Sequence, residues 1–238
     1  RGMAPNVSEI SLVKMGEAAQ KASRNLARLP TAIRNQALAN IAEALECDQQ
    51  SVLSANQKDY AEAQTSGMDL ALLDRLLLTP ERLHAMANDV RIIAELVDPV
   101  GETIESKTLN NGLSLEKRRV PLGVIASIYE SRPNVTIDIA ALCLKSGNAS
   151  ILRGGKEAIH SNKALITVIH EALLEAGLSE SSVQFVEDTN RLYLHEMLRM
   201  KEFIDLLDNY INKLELDFLD KLLISKRLFL QKIRSHTT

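Results

Sequence analysis

The chain has 238 residues, of which 28 are Lys or Arg and 31 are Asp or Glu, giving a formal net charge of −3. This length suits one large domain or two modest ones, and a hydrophobic content of 45% is typical of a globular protein with a sizeable core. Four Phe, four Tyr and no Trp argue against stacking on single-stranded nucleic acid, and the slight acidity argues against binding to phosphate backbones. No apolar run reaches the roughly 20 residues that span a bilayer, so neither nucleic acid nor membrane is an expected partner.

Two cysteines, Cys47 and Cys143, form no CxxC pair, and the start of the chain has no apolar signal core. This pattern predicts reduced thiols in a cytoplasmic protein.

Residues 8–98 are predicted to be helical. A four-residue spacing predicts one helix face formed by Ile33, Ala37, Ile41 and Leu45. A later helix is predicted to start at Pro80, with Thr79 as its cap and Glu81 in its first turn, and to end near Leu96.

Residues 99–123 carry turn signals between short runs. Asn111-Gly112 separates 103–109 from 113–120, which predicts a β-hairpin. Leu113, Leu115 and Lys117 alternate with polar neighbours, as expected for a half-exposed strand.

Residues 124–207 alternate between strand and helix patterns. The run 124–129 predicts a strand buried on both faces. The elements predicted after it are, in chain order, a helix at 134–146, a strand at 149–152, a helix at 156–176 closed by Gly177, a strand at 183–186, a helix at 191–200 and a strand at 203–207. Such an order predicts an incomplete doubly wound parallel sheet in an α/β fold.

Residues 208–238 are predicted to form a separate tail of one or two amphipathic helices, because Ile211, Leu214, Phe218 and Leu222 recur at helical spacing. No Gly or Pro occurs after Gly177, so this part of the chain cannot supply another tight glycine turn of the kind that binds phosphate.

The loops after the first two strands of this sheet are the candidate site, because open α/β sheets bind ligands at the carboxyl ends of their strands. Arg153-Gly154-Gly155-Lys156 lies between a strand and a helix, where two cations, close backbone approach and free helix N–H groups would suit an anion. A tight strand-to-helix turn with solvated charges explains the same residues equally well.

Three motifs carry a family resemblance. They are PLGV…IYESRPNVT at 121–136, LCLKSGN at 142–148 and ILRGGKE at 151–157. Together with LDRLLLTPER at 73–82, DPVG at 98–101 and MLRMKEFIDLL at 197–207, they closely resemble gamma-glutamyl phosphate reductase, a branch of the aldehyde dehydrogenase superfamily, over roughly residues 8–207.

The resemblance implies an oxidoreductase of proline biosynthesis that reduces L-glutamyl 5-phosphate to L-glutamate 5-semialdehyde with NADPH, through a cysteine thioester. It also implies an aldehyde-dehydrogenase-like fold, a homo-oligomer formed through the 99–123 hairpin, and cofactor binding by Arg153, Gly154, Gly155 and Lys156. Lys156 takes the place of a carboxylate found in NAD-preferring members, which favours the 2′-phosphate of NADP(H).

Two departures from the family pattern matter. Ser131 occupies the position of an oxyanion-binding Asn, and nearby Asn134 is the alternative for that role. After Leu207 the family continues into a second glycine loop and a catalytic domain, whereas residues 208–238 match neither. We therefore expect a truncated chain without the catalytic cysteine.

The remaining candidates are predicted to be structural. Cys143 lies in an apolar helical pattern, Cys47 is expected to pack likewise, and the five His show no ligand spacing, so no metal site is predicted. Three functions stay open: a member of the reductase family, a catalytically inactive NADP-binding or oligomer-forming fragment, and a helical interaction protein using residues 208–238.

Overall fold

The computed structural model describes residues 7–187, and side chains from residue 12 onward. The predicted helix at 191–200, the strand at 203–207 and the tail at 208–238 lie outside the described residues.

Five helices form the first half of the described chain, as predicted. They are α1 (Val7–Leu26), α2 (Thr31–Cys47), α3 (Gln49–Thr65), α4 (Leu70–Leu76) and α5 (Pro80–Glu95). The Thr79 side chain accepts a hydrogen bond from the backbone N–H of Arg82 at 3.2 Å, so the predicted cap of α5 is confirmed.

The predicted face of α2 is correct at three of its four positions. Ala37, Ile41 and Leu45 are buried, whereas Ile33 is exposed. Ile33 lies in the first turn of α2, whereas the three buried positions lie further along the helix. Periodicity gives the direction of a face but not how far along the helix its neighbour extends.

The hairpin is formed by β1 (Thr103–Thr108) and β2 (Ser114–Arg118), which pair antiparallel. Gly112 has φ of 85°, and its N–H donates to the carbonyl of Leu109, as expected for the predicted turn. Every residue of both strands is exposed, so the prediction of a half-buried β2 is wrong. Among the described residues, no element covers either face of this two-stranded sheet.

A parallel sheet has the order β3-β4-β5, with β3 at Val124–Ile128, β4 at Ala149–Arg153 and β5 at Val183–Phe185. Helix α6 (Asn134–Lys145) connects β3 to β4, and α7 (Ile159–Glu175) lies between β4 and β5. Central β4 is buried from Ala149 to Leu152, as predicted. The prediction for β3 is wrong, because Ala126 and Ile128 are exposed and this strand is an edge within the described sheet.

Helix packing builds the core around this sheet. Helix α2 packs against α5 and α7, α3 packs against α7, and α1 lies against β4. Fully buried side chains at these contacts include Leu38, Ile41, Leu83, Ile137, Leu144 and Leu165. None of the described helices combines the length and the apolar character needed to cross a bilayer.

A polar cluster connects helix α2 to the segment that precedes β1. Asp98 accepts hydrogen bonds from the Thr31 hydroxyl and from the fully buried Arg34 guanidinium. Burial opposes ionisation of Asp98, but these donors and the Val100 N–H outweigh it, so its pKa is lowered. Nearby Lys145 donates to the Ala94 carbonyl at 2.6 Å, and burial lowers its pKa.

Candidate functional site

The loops that follow β3 and β4 meet at the carboxyl edge of the sheet, as the sequence predicted. The Tyr129 N–H donates to the Arg153 carbonyl at 3.0 Å, which extends the pairing of the two strands to their last residues. Beyond this point, a Cβ on Gly155 would lie 3.4 Å from the backbone nitrogen of Ser131. The Ser131 hydroxyl donates to the Glu157 carboxylate at 3.3 Å. The structure therefore brings Ser131 next to the Arg153–Lys156 segment.

Contacts within the chain restrict the space at both glycines, and more severely at Gly154. A Cβ on Gly154 would lie 2.2 Å from the amide nitrogen of Asn162, and one on Gly155 would lie 2.6 Å from a carboxylate oxygen of Glu157. Gly154 leaves space for a buried amide, whereas a Cβ on Gly155 would mainly displace the end of the Glu157 side chain. The tight-turn alternative thus accounts for Gly154 by itself.

Asn162 belongs to a buried chain of hydrogen bonds below this turn. The Tyr129 hydroxyl and the Thr136 hydroxyl are 2.6 Å apart, and the Thr136 hydroxyl donates to the Asn162 carbonyl oxygen at 2.7 Å. Burial raises the pKa of Tyr129 to about 12, against the opposing effect of its bond with Thr136, so the phenol stays protonated. This chain joins the end of β3, helix α6 and helix α7.

The amino end of α7 differs from the prediction. A single 3₁₀ turn at Lys156–Ala158 precedes the helix, which starts at Ile159 rather than at Lys156. The buried Asp59 carboxylate of α3 accepts from the N–H groups of His160 at 3.1 Å and Ser161 at 2.7 Å, and from the Ser161 hydroxyl at 2.5 Å. These helix N–H groups are therefore not free for a ligand anion.

Asp59 could not be found from local sequence, because it lies on α3, about 100 positions before its partners. Asn56, one turn earlier on α3, donates to Ser161 at 3.0 Å and to the Leu76 carbonyl at 2.8 Å, and is equally buried. The sequence does contain one indication of this contact: Asn56 and Asp59 are polar residues at helical spacing on the face of α3 that also carries Val52 and Ala63.

The two cations of the segment differ in exposure. Arg153 is half-buried at the end of β4, whereas Lys156 is exposed in the 3₁₀ turn. Lys156 forms no ion pair with any described side chain, so its ammonium group is available to solvent or to an anion.

Ser131 and Asn134, the two candidates for binding an oxyanion, have different surroundings in the structure. Ser131 is turned toward Glu157, whereas Asn134, the first residue of α6, lines an open cleft of about 370 Å³. The Asn134 amide donates to Asp138 at 3.1 Å. Burial raises the pKa of Asp138, a change that Asn134 opposes and the nearby charge of Asp89 reinforces.

Neither cysteine lies in this region. Cys143 is buried in α6, which confirms the prediction that it is packed, and burial raises its pKa to about 12. Cys47 is exposed at the end of α2, so the prediction that it is packed is wrong. Within residues 12–187, no group of His, Cys, Asp or Glu could hold a metal ion.

Comparison with solved structures defines the class of fold. The chain aligns with an acetylating aldehyde dehydrogenase from Geobacillus thermoglucosidasius at a TM-score of 0.63 and 16% identity, over 82% of this chain and 40% of that chain. This likeness establishes an aldehyde-dehydrogenase-like fold and confirms the predicted fold class.

More similar proteins give the particular family. The chain is 57% identical over 196 residues to gamma-glutamyl phosphate reductase from Yersinia pseudotuberculosis serotype O:1b, which covers 82% of this chain and 47% of the relative. The crystal structure of the reductase from Thermotoga maritima aligns at a TM-score of 0.78 and 41% identity, over 80% of this chain and 46% of that chain. The one from Saccharomyces cerevisiae aligns at a TM-score of 0.73 and 32% identity, over 80% of this chain and 49% of that chain.

Over its matched residues the chain is therefore a homologue of gamma-glutamyl phosphate reductase, as the motifs predicted. It spans about half the length of the curated relatives that it matches. No protein-family model matches the chain.

Proposed function

We propose that this chain carries the cofactor-binding portion of a gamma-glutamyl phosphate reductase. In the complete enzyme, the reaction is the NADPH-dependent reduction of L-glutamyl 5-phosphate to L-glutamate 5-semialdehyde in proline biosynthesis. The observation that carries the proposal is the 57% identity to proteins of that name, combined with the meeting of the β3 and β4 loops at the carboxyl edge of the parallel sheet.

The described residues suit the adenosine end of a nicotinamide cofactor. The exposed, unpaired ammonium of Lys156 at the rim of the turn fits a 2′-phosphate, and half-buried Arg153 precedes it by one short turn. The N–H groups of His160 and Ser161 do not fit the cofactor's pyrophosphate, because Asp59 occupies them. When bound, the nicotinamide would supply hydride for the reduction.

For this chain alone, we also propose the second of the three functions that the sequence left open. In this proposal the chain is a catalytically inactive fragment that binds NADP or forms oligomers. The specific observation is that Cys143 is buried with a raised pKa, whereas Cys47 lies at the far end of α2. Neither thiol is among the residues that line the cleft at Asn134. Binding without turnover is therefore the expected behaviour of these 238 residues.

Calorimetric titration with NADP⁺ and NAD⁺ tests the cofactor assignment. We expect NADP⁺ to bind weakly, with a Kd of about 1 mM, and NAD⁺ to bind about fivefold to tenfold less tightly, because one charge-assisted contact to phosphate is worth roughly 1 kcal/mol in an exposed site.

The Lys156→Glu variant is expected to lose the preference for NADP⁺. A Lys21→Glu variant, which makes the same charge change on an exposed position of α1, is the matched control and should keep the preference. Equal affinity of the wild-type chain for both cofactors would contradict the role of Lys156.

A further inference from the structure

We propose that the cleft beside Asn134 binds the α-amino-acid end of a substrate, with Asp89 holding the ammonium group and Arg132 holding the α-carboxylate. This inference rests on the proposed function, which it extends by naming the residues that would select the substrate.

The cleft has the size and the walls of a small-molecule site. Its volume of about 370 Å³ falls at the lower end of the range for ligand pockets, which suits a ligand of amino-acid size. One wall is a single face of α5, because Arg82, Ala85, Met86 and Asp89 recur at helical spacing. Arg132, in the loop after β3, and Asn134, the first residue of α6, form another part of the lining.

Charges at the two ends of the α5 face are in different states. At one end, Arg82 is fully engaged, since it donates to the Asp74 carboxylate at 2.7 Å and to the Leu77 carbonyl at 2.8 Å. Asp89 lies seven residues further, about 10 Å along the helix, and makes no ion pair with the described side chains. Arg75, which also lines the cleft, makes no ion pair with the described side chains. The cleft therefore holds unpaired guanidinium groups as well as the unpaired carboxylate of Asp89.

A second carboxylate strengthens the negative potential at that end. Asp138 of α6 lies close enough to Asp89 that the charge of Asp89 raises its pKa, and it accepts a hydrogen bond from Asn134. A carboxylate in the cleft that makes no ion pair with the described side chains, and whose charge is felt by a second carboxylate, favours a bound ammonium group.

The positive partner is two residues away from Asn134. Arg132 lines the same cleft, is exposed, and makes no ion pair with the described side chains. A guanidinium binds carboxylate through two parallel N–H groups. An unpaired carboxylate and an unpaired guanidinium in one cleft match a molecule that carries both charges on one carbon atom, which is the α-amino-acid group.

Leu78 and Met86 add buried apolar atoms to the same lining, which suit the methylene groups of a side chain.

Three ligands that differ by one group test the proposal on the 238-residue chain. These are L-glutamate, glutarate, which lacks the ammonium group, and 4-aminobutyrate, which lacks the α-carboxylate. In calorimetric or ligand-observed NMR titrations, we expect L-glutamate to bind about tenfold more tightly than either analogue.

Two variants should give a crossed pattern. Asp89→Asn should weaken L-glutamate and 4-aminobutyrate about fivefold and leave glutarate unchanged, whereas Arg132→Gln should weaken L-glutamate and glutarate and leave 4-aminobutyrate unchanged. Glu171→Gln and Arg28→Gln remove exposed charges on α7 and after α1, and are the controls that should change nothing. An unchanged thermal unfolding midpoint shows that each variant is folded.

Equal binding of the three ligands, absence of L-glutamate binding at millimolar concentration, or equal binding of inorganic phosphate would each overturn the assignment. NADP⁺ titration of the same sample separates the two proposals. NADP⁺ binding without L-glutamate binding refutes the cleft and leaves the cofactor assignment, and the reverse result refutes the cofactor assignment alone.

Discussion

At the scale of single residues, the turn after β4 is defined by side chains from other elements. Asn162 on α7 fills the space in which a Gly154 Cβ would lie, and its carbonyl oxygen is held by Thr136 of α6. Gly154 does not have a positive φ, so alanine can adopt its backbone conformation. The requirement for glycine at this position is therefore one of space and not of backbone freedom.

Gly154→Ala is expected to lower the free energy of unfolding by about 1–3 kcal/mol, because the new methyl group overlaps the Asn162 amide inside a packed region. Chemical denaturation measures the change. Gly155→Ala is the matched control, with a smaller expected effect, since its Cβ would meet the end of a flexible Glu157 side chain.

Adding Asn162→Ala to Gly154→Ala removes the overlap, so the double variant should be more stable than the sum of the two single changes by about 1 kcal/mol or more. Strict additivity would show that Asn162 is not the group that excludes a side chain at position 154.

Local sequence could not identify these residues. Arg153, Gly154, Gly155 and Lys156 are adjacent in the chain, and their place after a buried strand makes them a candidate site in the sequence alone. Asp59 and Asn162 act through contacts between elements, and the predicted free N–H groups of the α7 start were wrong for that reason.

At the scale of elements, the short-range signals predicted the strands and helices well. The Asn111-Gly112 turn, the Thr79-Pro80 start and the Gly177 stop are each defined by two or three residues and are confirmed. Burial was predicted less well, because it depends on neighbours. The apolar composition of β3 is that of a covered strand, yet within the described residues β3 is a partly exposed edge.

The β1–β2 hairpin leaves both of its outer edges without a strand partner in the described part of the chain, and Ile104, Leu115 and Val120 are exposed on it. Open edges with apolar side chains favour association with another chain. We therefore expect sedimentation at micromolar concentration to show a dimer or larger assembly.

An Ile104→Glu/Leu115→Glu double variant should be shifted toward the monomer, because it places charge on the exposed apolar positions. Ser106→Glu, on β1 with Ile104, adds charge without removing an apolar side chain and is the control for charge alone. A wild-type monomer that is unaffected by deletion of residues 103–120 would contradict the proposed role of the hairpin.

At the scale of the whole molecule, the described residues contain the elements of the proposed cofactor site. The parallel strands, the loop with Asn134 and the segment with Lys156 lie within one packed unit of helices and sheet. The proposed reaction also requires a thiol, but neither Cys47 nor Cys143 lines the cleft at Asn134. With a pKa of about 12, Cys143 would be a thiolate in only about one molecule in 10⁵ at pH 7.

We therefore expect the purified 238-residue chain to show no turnover. The assay follows the phosphate-dependent reduction of NADP⁺ by L-glutamate 5-semialdehyde, and the expected rate equals that of a buffer control, because no activated nucleophile can form the thioester. Cys143→Ala and Cys47→Ala variants accompany the wild-type chain. Turnover that disappears in Cys143→Ala would show that the buried thiol becomes reactive, and turnover that disappears in Cys47→Ala would assign the nucleophile to the exposed end of α2.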